Sequence, residues 1–273
     1  YSAFLRRYQD GTDAEDLRRR ISPFLMRRLK KEVLTELPDK IESVFTAQMS
    51  PEQAKVYEAT MMRLRQRVDS IVKEKGFERG RTEVLAAITQ LREICCHPSL
   101  VLDDYTGTSG KLDMLLDMLP EAIAKGRRVL LFSAFTSMLK ILRRELDDAG
   151  YETMYLDGDT PAQRRVEMAE QFNAGQGQIF LISLKAGGTG LNLTGADMVI
   201  HYDPWWNPAA EDQATDRAYR IGQTRKVEVI RLVTHASIEE QVVALGQRKK
   251  ALFDQLIKPG ESMVGGLSPQ EIM

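Results

Sequence analysis

Short apolar segments alternate with helix-length segments between residues 111 and 233, and this alternation limits the folds open to the chain. Short strands separated by helices of about ten residues or more predict a parallel sheet of right-handed βαβ units. A continuous apolar run such as RVLLFS is typical of a strand buried on both faces. We therefore predict an α/β fold, a parallel sheet flanked by helices, with strands at 128–133, 151–156, 178–183, 196–203 and 227–233.

A helical module is predicted ahead of this region. Residues 41–49 alternate loosely and are compatible with a strand, and Ser50, Pro51 and Gln53 then form a helix start of the capping-box type. A second helix is predicted at 82–97, ended by His97-Pro98, with an inward face of Val84, Leu85, Ile88, Leu91 and Cys95.

Residues 1–40 are rich in arginine and lysine, and the basic residues are densest in residues 17–40. Apolar residues recur at every fourth position, which predicts a helix with one apolar stripe and a basic face, ended by Pro38; the stripe is Leu25, Leu29, Val33 and Leu37. The basic face is either solvated or contacts nucleic acid.

Composition excludes some classes of protein. The formal net charge is -1, so any nucleic-acid binding must be local. Nothing resembles a signal segment or the run of about 18 apolar residues that a membrane span needs. Cys95 and Cys96 lack the further ligands of a zinc site, since the chain has only three histidines. We expect an intracellular location: cytoplasmic, nucleoid or nuclear.

A glycine-rich turn follows the strand predicted at 178–183. Ligands collect at the carboxyl ends of parallel strands, and glycines let backbone N–H groups approach a phosphate. A plain tight turn is the alternative reading. The turn contains Gly187, Gly188 and Gly190, with Ser183, Lys185 and Thr189 as further donors.

A polar face is predicted on the helix that follows Asn207-Pro208. Gln213, Arg217 and Arg220 are spaced i, i+4 and i+7, so one helical face presents an amide and two guanidinium groups. Two such groups suit the stabilisation of a transferring phosphoryl group, although solvated surface arginines have the same pattern.

The phosphate-cradling half of a nucleotide site is missing from the sequence. It contains no G-x-x-x-x-G-K-[ST], since the only Gly-Lys, Gly110-Lys111, is followed by Leu112. No predicted strand ends in Asp-Glu to hold Mg²⁺. We therefore expect no nucleotide hydrolysis by this chain alone. Because it opens on Tyr1 and closes on SPQEIM, which resembles the start of a helix, we also expect an excised part of a longer protein.

Several segments resemble the SWI/SNF-type ATPases, which are double-stranded-DNA translocases of helicase superfamily two. Three segments are similar to motifs V, Va and VI of that family: SLKAGGTGLNL, DPWWNP and DQATDRAYRIGQ. VLLFSAF resembles motif IV, and YLDGDTPAQRR the segment after it. PFLMRRLKKEVLTELPDK resembles the lobe-connecting segment, and LREICCHPSL the stretch before the second lobe, with Cys96 where many members have Asn.

The resemblance implies a site for each ligand. Arg217 and Arg220 would be arginine fingers that reach the γ-phosphate of ATP, with Gln213 beside them. Nucleotide-binding positions would be Gly188, Gly190 and Asn192. Positions at or near the DNA backbone would be Ser133, Ser183, Lys185 and Trp206. The neighbouring Trp205 is either part of that contact or an apolar plug behind Asn207.

The resemblance also implies a domain layout and partners. The fold would be RecA-like with an N-terminal helical module and a C-terminal brace helix. Residues 1–40 would be the end of a first lobe and the basic connecting segment, 41–108 a helical protrusion and linker, 109–236 the C-terminal helicase lobe, and 237–273 the brace helix and tail. ATP and Mg²⁺ would be bound mainly by the first lobe of the complete enzyme, with none expected in the isolated part.

The expected partners are double-stranded DNA and the N-terminal RecA-like lobe of the same chain, with no membrane and a monomeric state. Two alternatives stay open: a lobe of a strand-separating DNA or RNA helicase, and a non-catalytic nucleic-acid-binding or interaction lobe.

Overall fold

The computed structural model describes residues 14–21, 37–75, 77–186 and 190–256. The chain divides into two compact units, Pro38–Val243 and a second that combines Tyr1–Leu37 with Ala244–Met273. The described part of the second unit includes helix α1 (Ala14–Ile21), in which the Nε atom of Arg20 donates a hydrogen bond to Asp16 at 3.0 Å. The apolar stripe was predicted at Leu25, Leu29, Val33 and Leu37, and of these only Leu37 lies within the described residues, where it is half-buried.

The Pro38–Val243 unit is built on a six-stranded, wholly parallel sheet of order β1-β6-β5-β2-β4-β3. The predicted parallel α/β sheet is confirmed, and each predicted strand is present. The strands are β1 (Lys40–Ala47), β2 (Val129–Ser133), β3 (Thr153–Leu156), β4 (Ile179–Ser183), β5 (Met198–His201) and β6 (Val227–Thr234). Strands β2, β4 and β5 are fully buried, as the apolar runs predicted.

Strand β1 joins this sheet as an edge strand. It pairs in parallel with β6 along its whole length, from Lys40 opposite Val227 to Ala47 opposite Thr234. The sequence predicted a loose strand here but grouped it with the helical protrusion, because alternation alone does not reveal which strand will be the partner. The domain boundaries themselves stay a prediction.

Helices α2 (Pro51–Lys75) and α3 (Phe77–Cys96) form the helical module. The predicted capping box is confirmed, since the N–H of Gln53 donates to the hydroxyl of Ser50 at 3.2 Å and the N–H of Ser50 to the Gln53 amide at 3.4 Å. The same amide donates to the carbonyl of Ile94 at 2.9 Å and accepts from the N–H of Gly110 at 3.0 Å. Gln53 therefore joins both helices to the start of the next one.

The prediction for α3 was correct at its C-terminal end and wrong in two other respects. The helix begins at Phe77 rather than at Thr82. Leu85, predicted to face inward, is 48% exposed, whereas Leu91 and Cys95 are buried.

The remaining helices are α4 (Gly110–Ala124), α5 (Thr136–Asp148), α6 (Ala162–Asn173), α7 (Pro208–Thr215) and α8 (Ile238–Leu256). Apolar side chains of α4 and α5, such as Leu115 and Leu142, form one core with β2, β4 and β5. Thr160, Pro161 and Gln163 repeat the capping-box pattern in the sequence and predict a cap for α6. That prediction was wrong, because the hydroxyl of Thr160 accepts from the N–H of Asp157 at 3.1 Å and closes the preceding turn instead.

No helix in the described ranges combines the length and the apolar character that crossing a membrane requires. The two cysteines are free thiols, both buried at the end of α3.

Candidate functional site

A cleft of about 210 Å³ opens at the carboxyl ends of β4 and β5. The loop after β4, the loop after β5 and helix α7 form its walls. Three of the predicted site residues are brought together here, namely Lys185, Gln213 and Arg217, and the remaining lining residues are Leu184, Trp205, Ala210 and Ala214. The position agrees with the expectation that ligands bind at this edge of a parallel sheet.

Arg217 carries an unsatisfied positive charge in this cleft. Its side chain is 4% exposed, and its Nε and Nη1 atoms are buried with no hydrogen-bond partner among the described residues. Burial lowers the pKa of Arg217, and the nearby charge of Arg220 lowers that pKa further. A buried guanidinium without partners is costly, so the site favours an anion that accepts hydrogen bonds from it.

Arg220 has a different environment. It is exposed, and its Nη1 atom donates to the carbonyl oxygen of Gly190 at 3.3 Å. Gly190 has a φ of +50°, in the left-handed region that favours glycine, so the turn that presents this carbonyl suits a residue without a Cβ atom. Arg220 therefore connects the arginine segment, residues 216–223, to the glycine-rich turn.

The prediction that Gln213, Arg217 and Arg220 share one helical face was wrong. Helix α7 ends at Thr215, and the chain continues through tight turns in which the N–H of Arg217 bonds to the carbonyl of Ala214. Gln213 stays exposed on the helix. The two arginines lie beyond the end of the helix, where Arg217 is buried and Arg220 is exposed.

Gln223 fixes the segment that carries the arginines. Its amide nitrogen donates to the carbonyl oxygens of Thr194, Ala196 and Ala218, at 3.2, 2.7 and 3.1 Å. Sequence reasoning did not identify this role, because a glutamine near a glycine gives no pattern that distinguishes an anchor from a surface side chain.

Two further nucleotide-binding positions were predicted on the glycine-rich turn. Asn192 is exposed, and its carbonyl oxygen accepts from the side-chain amide of Asn173 at 2.8 Å. Gly188 lies outside the described residues.

The four residues predicted to meet DNA divide into two groups. Lys185 is exposed and Trp206 is half-buried, so both are accessible. Ser133 and Ser183 are buried, and the hydroxyl of Ser133 donates to the carboxylate of Asp203 at 2.5 Å. A DNA contact through the Ser133 side chain would require this hydrogen bond to open.

The tryptophan loop (residues 203–207) is held by Glu211, which is also bonded to Arg231. The N–H of Trp205 donates to the carboxylate of Glu211 at 2.7 Å, and Arg231 bonds the other oxygen of Glu211 at 2.9 Å. Burial raises the pKa of Glu211, while its bonds from Trp205 and Arg231 act in the opposite direction. At the C-terminal end of α7, the ring of His201 lies 3.0 Å from the hydroxyl of Thr215.

Comparison with known proteins places the fold among known families. Two family models match the chain: the helicase conserved C-terminal domain over residues 110–222, and the SNF2-related domain over residues 4–100. The first match covers β2 to α7 and the arginine segment. The fold and the cleft thus define a RecA-like helicase C-terminal domain.

Solved structures identify the family within that class. The Sulfolobus solfataricus SWI2/SNF2 ATPase C-terminal domain is 30% identical, with a TM-score of 0.65, and the match covers 86% of this chain and 96% of that one. The chain belongs to the SWI2/SNF2 family. A second structure, the Sulfolobus solfataricus SWI2/SNF2 ATPase core in complex with dsDNA, is 34% identical with a TM-score of 0.68, over 97% of this chain and 56% of that one.

Among curated proteins, the chain is similar to the chromatin structure-remodeling complex subunit snf21 of Schizosaccharomyces pombe. The two are 37% identical over 259 residues, which is 88% of this chain and 21% of the relative. A Bacillus subtilis relative is 39% identical, and the chain spans 28% of its length. The chain thus corresponds to a small part of the curated proteins it matches.

Proposed function

We propose that this chain is the second motor lobe of an ATP-dependent double-stranded-DNA translocase. In the complete protein, ATP and Mg²⁺ would be held mainly by the first lobe, and this lobe would supply Arg217 and Arg220 to the γ-phosphate. The proposal takes its family from the SWI2/SNF2 relationship and its chemistry from the cleft.

The unsatisfied guanidinium of Arg217 carries the proposal. Its Nε and Nη1 atoms are buried in a cleft at the ligand-binding edge of the sheet, without partners among the described residues. A phosphate group is the chemical match, because its oxygens accept the parallel hydrogen bonds that a planar guanidinium donates. A nucleotide phosphate presented from another lobe therefore fits the residues that are present.

Within the cleft, this lobe orients and stabilises charge. Arg217 is placed to donate hydrogen bonds to developing negative charge on a transferring phosphoryl group, and Arg220 adds a second positive charge. Gln213, exposed on the same wall, supplies an amide for hydrogen bonding. Asn192 and the glycine-rich turn are assigned to binding the nucleotide. For Gly188, which belongs to that turn, the assignment rests on the family resemblance.

Lys185 and Trp206 are the proposed contacts to the DNA backbone. Both are accessible and follow the strands whose ends form the cleft. A lysine ammonium attracts phosphate without reading sequence, as translocation along DNA requires. Ser133 and Ser183, which are both buried, are proposed to lie near the DNA backbone, behind this surface. Closing and opening of the lobes would alternate grip and release.

Two measurements on the complete protein test this function. We expect duplex DNA to stimulate ATP turnover more than single-stranded DNA of equal length. We also expect Lys185→Ala to raise the half-saturating DNA concentration and to flatten its salt dependence by about one phosphate contact. The exposed Lys140, on α5, provides the matched control Lys140→Ala, which should change neither quantity.

Other results would favour the alternatives. Equal or greater stimulation by single-stranded DNA would contradict the duplex translocase and favour a strand-separating helicase. ATP turnover without any response to DNA would contradict both motor functions.

A further inference from the structure

A buried arginine of the helical module reaches the tryptophan loop. Arg92 lies on α3 and is 1% exposed. Its Nη2 atom lies 3.1 Å from the carboxylate of Asp203 and donates to the carbonyl oxygen of Pro204 at 2.6 Å. Both acceptors belong to the segment that leads into Trp205 and Trp206.

Three aromatic rings surround the same guanidinium. Its Cζ atom lies 5.2 Å from the ring centre of Phe135, 5.3 Å from that of Trp205 and 5.4 Å from that of Trp206. These distances are within the range of cation–π attraction. We call the three rings the Arg92 cage. All three rings contact the same cation, which lies on α3 rather than on the loops that carry the rings.

Asp203 extends this cluster to a second loop. Its Oδ1 atom accepts from the hydroxyl of Ser133 at 2.5 Å and from the N–H of Ala134 at 3.1 Å. One carboxylate thus joins Arg92 to the loop after β2, which carries Phe135, and to the loop after β5. Both loops end strands at the ligand-binding edge of the sheet.

We propose that Arg92 is a positioning residue, through which the helical module sets the orientation of Trp206 and thereby the affinity of this lobe for DNA. The functional half of this proposal, the effect on DNA affinity, rests on the proposed function above. The geometric half, the orientation of the tryptophan rings, does not, because it concerns only those rings and the guanidinium between them.

Arginine is required here by shape as well as by charge. A lysine at position 92 can pair with Asp203, but its ammonium is a compact point charge that cannot lie as a plane among three rings. Arg92→Lys therefore keeps the ion pair and removes the planar contact. The matched control is Arg81→Lys, an exposed arginine on the same helix.

Tryptophan fluorescence tests the geometric half in the 273-residue chain. The sequence contains two tryptophans, and both belong to the Arg92 cage, so their emission reports on it alone. We expect Arg92→Lys to shift the emission to longer wavelength and to increase quenching by acrylamide, while Arg81→Lys matches the wild type. Unchanged emission and quenching in Arg92→Lys would overturn the proposal.

A second variant covers the case in which Arg92→Lys fails to fold, as judged by circular dichroism. Phe135→Leu removes one wall of the Arg92 cage and leaves the ion pair with Asp203 in place. The same red shift is expected, and its absence in a folded Phe135→Leu would count against the proposal.

ATP turnover in the complete protein tests the functional half. We expect Arg92→Lys to raise the half-saturating duplex-DNA concentration by about tenfold, the scale of one weakened nucleic-acid contact, with little change in turnover at saturating DNA. A uniform loss of turnover with an unchanged half-saturating DNA concentration would show a merely structural role. If the wild type shows no response to DNA, the proposed function fails, and with it the functional half, while the fluorescence result still decides the geometric half.

Discussion

Two buried arginines in the Pro38–Val243 unit have different environments. The Nη2 atom of Arg92 bonds a carboxylate and a carbonyl oxygen and three aromatic rings surround its guanidinium, while its Nε atom has no hydrogen-bond partner among the described residues. Arg217 has buried Nε and Nη1 atoms that no described residue satisfies. An ion pair compensates the burial of Arg92, whereas the Nε and Nη1 atoms of Arg217 have no compensating partner among the described residues. We interpret the first as structural positioning and the second as a functional site.

This contrast predicts opposite effects on stability. Arg217→Met should leave the free energy of unfolding unchanged or raise it by about 1 kcal/mol, because it removes an unsatisfied buried charge. Arg92→Met should lower the free energy of unfolding by about 3 kcal/mol or more, because it leaves the Asp203 carboxylate buried without its partner. Urea unfolding of both variants measures the difference. A large loss in Arg217→Met would mean that Arg217 is structural.

Some of these residues were predictable from the sequence and others were not. Arg217 and Arg220 were singled out from the motif around them, although the helical face that their spacing predicted is absent because the helix ends at Thr215. Arg92 and Asp203 are 111 positions apart, so no local pattern relates them. Ser133 was predicted as a DNA contact, but it is buried and its hydroxyl bonds a carboxylate at the end of another strand, a partner that only the tertiary structure reveals.

At the scale of elements, the sequence prediction differed most clearly from the structure at the end of α7. The sequence offers no glycine or proline between Pro208 and Gly222, so helix periodicity predicted a continuous face. Tertiary contacts end the helix instead: Ala218 and Tyr219 are buried, and Gln223 holds the carbonyl of Ala218. Burial lowers the pKa of His201 to about 3, so this ring stays neutral beside Thr215 at the helix end.

The start of α4 leaves no room for a side chain. A Cβ atom added to Gly110 would lie 1.6 Å from the carbonyl oxygen of Gln48, which is backbone. Gly110→Ala should therefore lower the free energy of unfolding by about 2 kcal/mol or more, since the backbone itself must move. Gly158→Ala is the matched control, because a Cβ atom there meets nothing within 4 Å. Equal unfolding midpoints for the two variants would show that the α4 start adapts at no cost.

At the scale of the whole molecule, the architecture of the Pro38–Val243 unit follows from the sequence in outline. Short apolar runs that alternate with helix-length segments predicted the parallel sheet, because strands and helices can be recognised from the local sequence. The place of β1 beside β6 was not predicted, since the partners lie far apart in the chain. The same is true of the buried ion pair between Lys111 and Glu239, 2.7 Å apart, which joins the start of α4 to the start of α8.

The central claim is that Arg217 donates to the phosphate that reacts in the complete motor. ATP turnover at saturating duplex DNA tests it most directly in the complete protein with Arg217→Lys, which keeps the charge and removes the planar guanidinium. We predict a loss of about 10³-fold, the scale of an arginine finger. Arg144→Lys, at an exposed arginine on α5, should retain turnover. Turnover of Arg217→Lys equal to that of the wild type would contradict the claim.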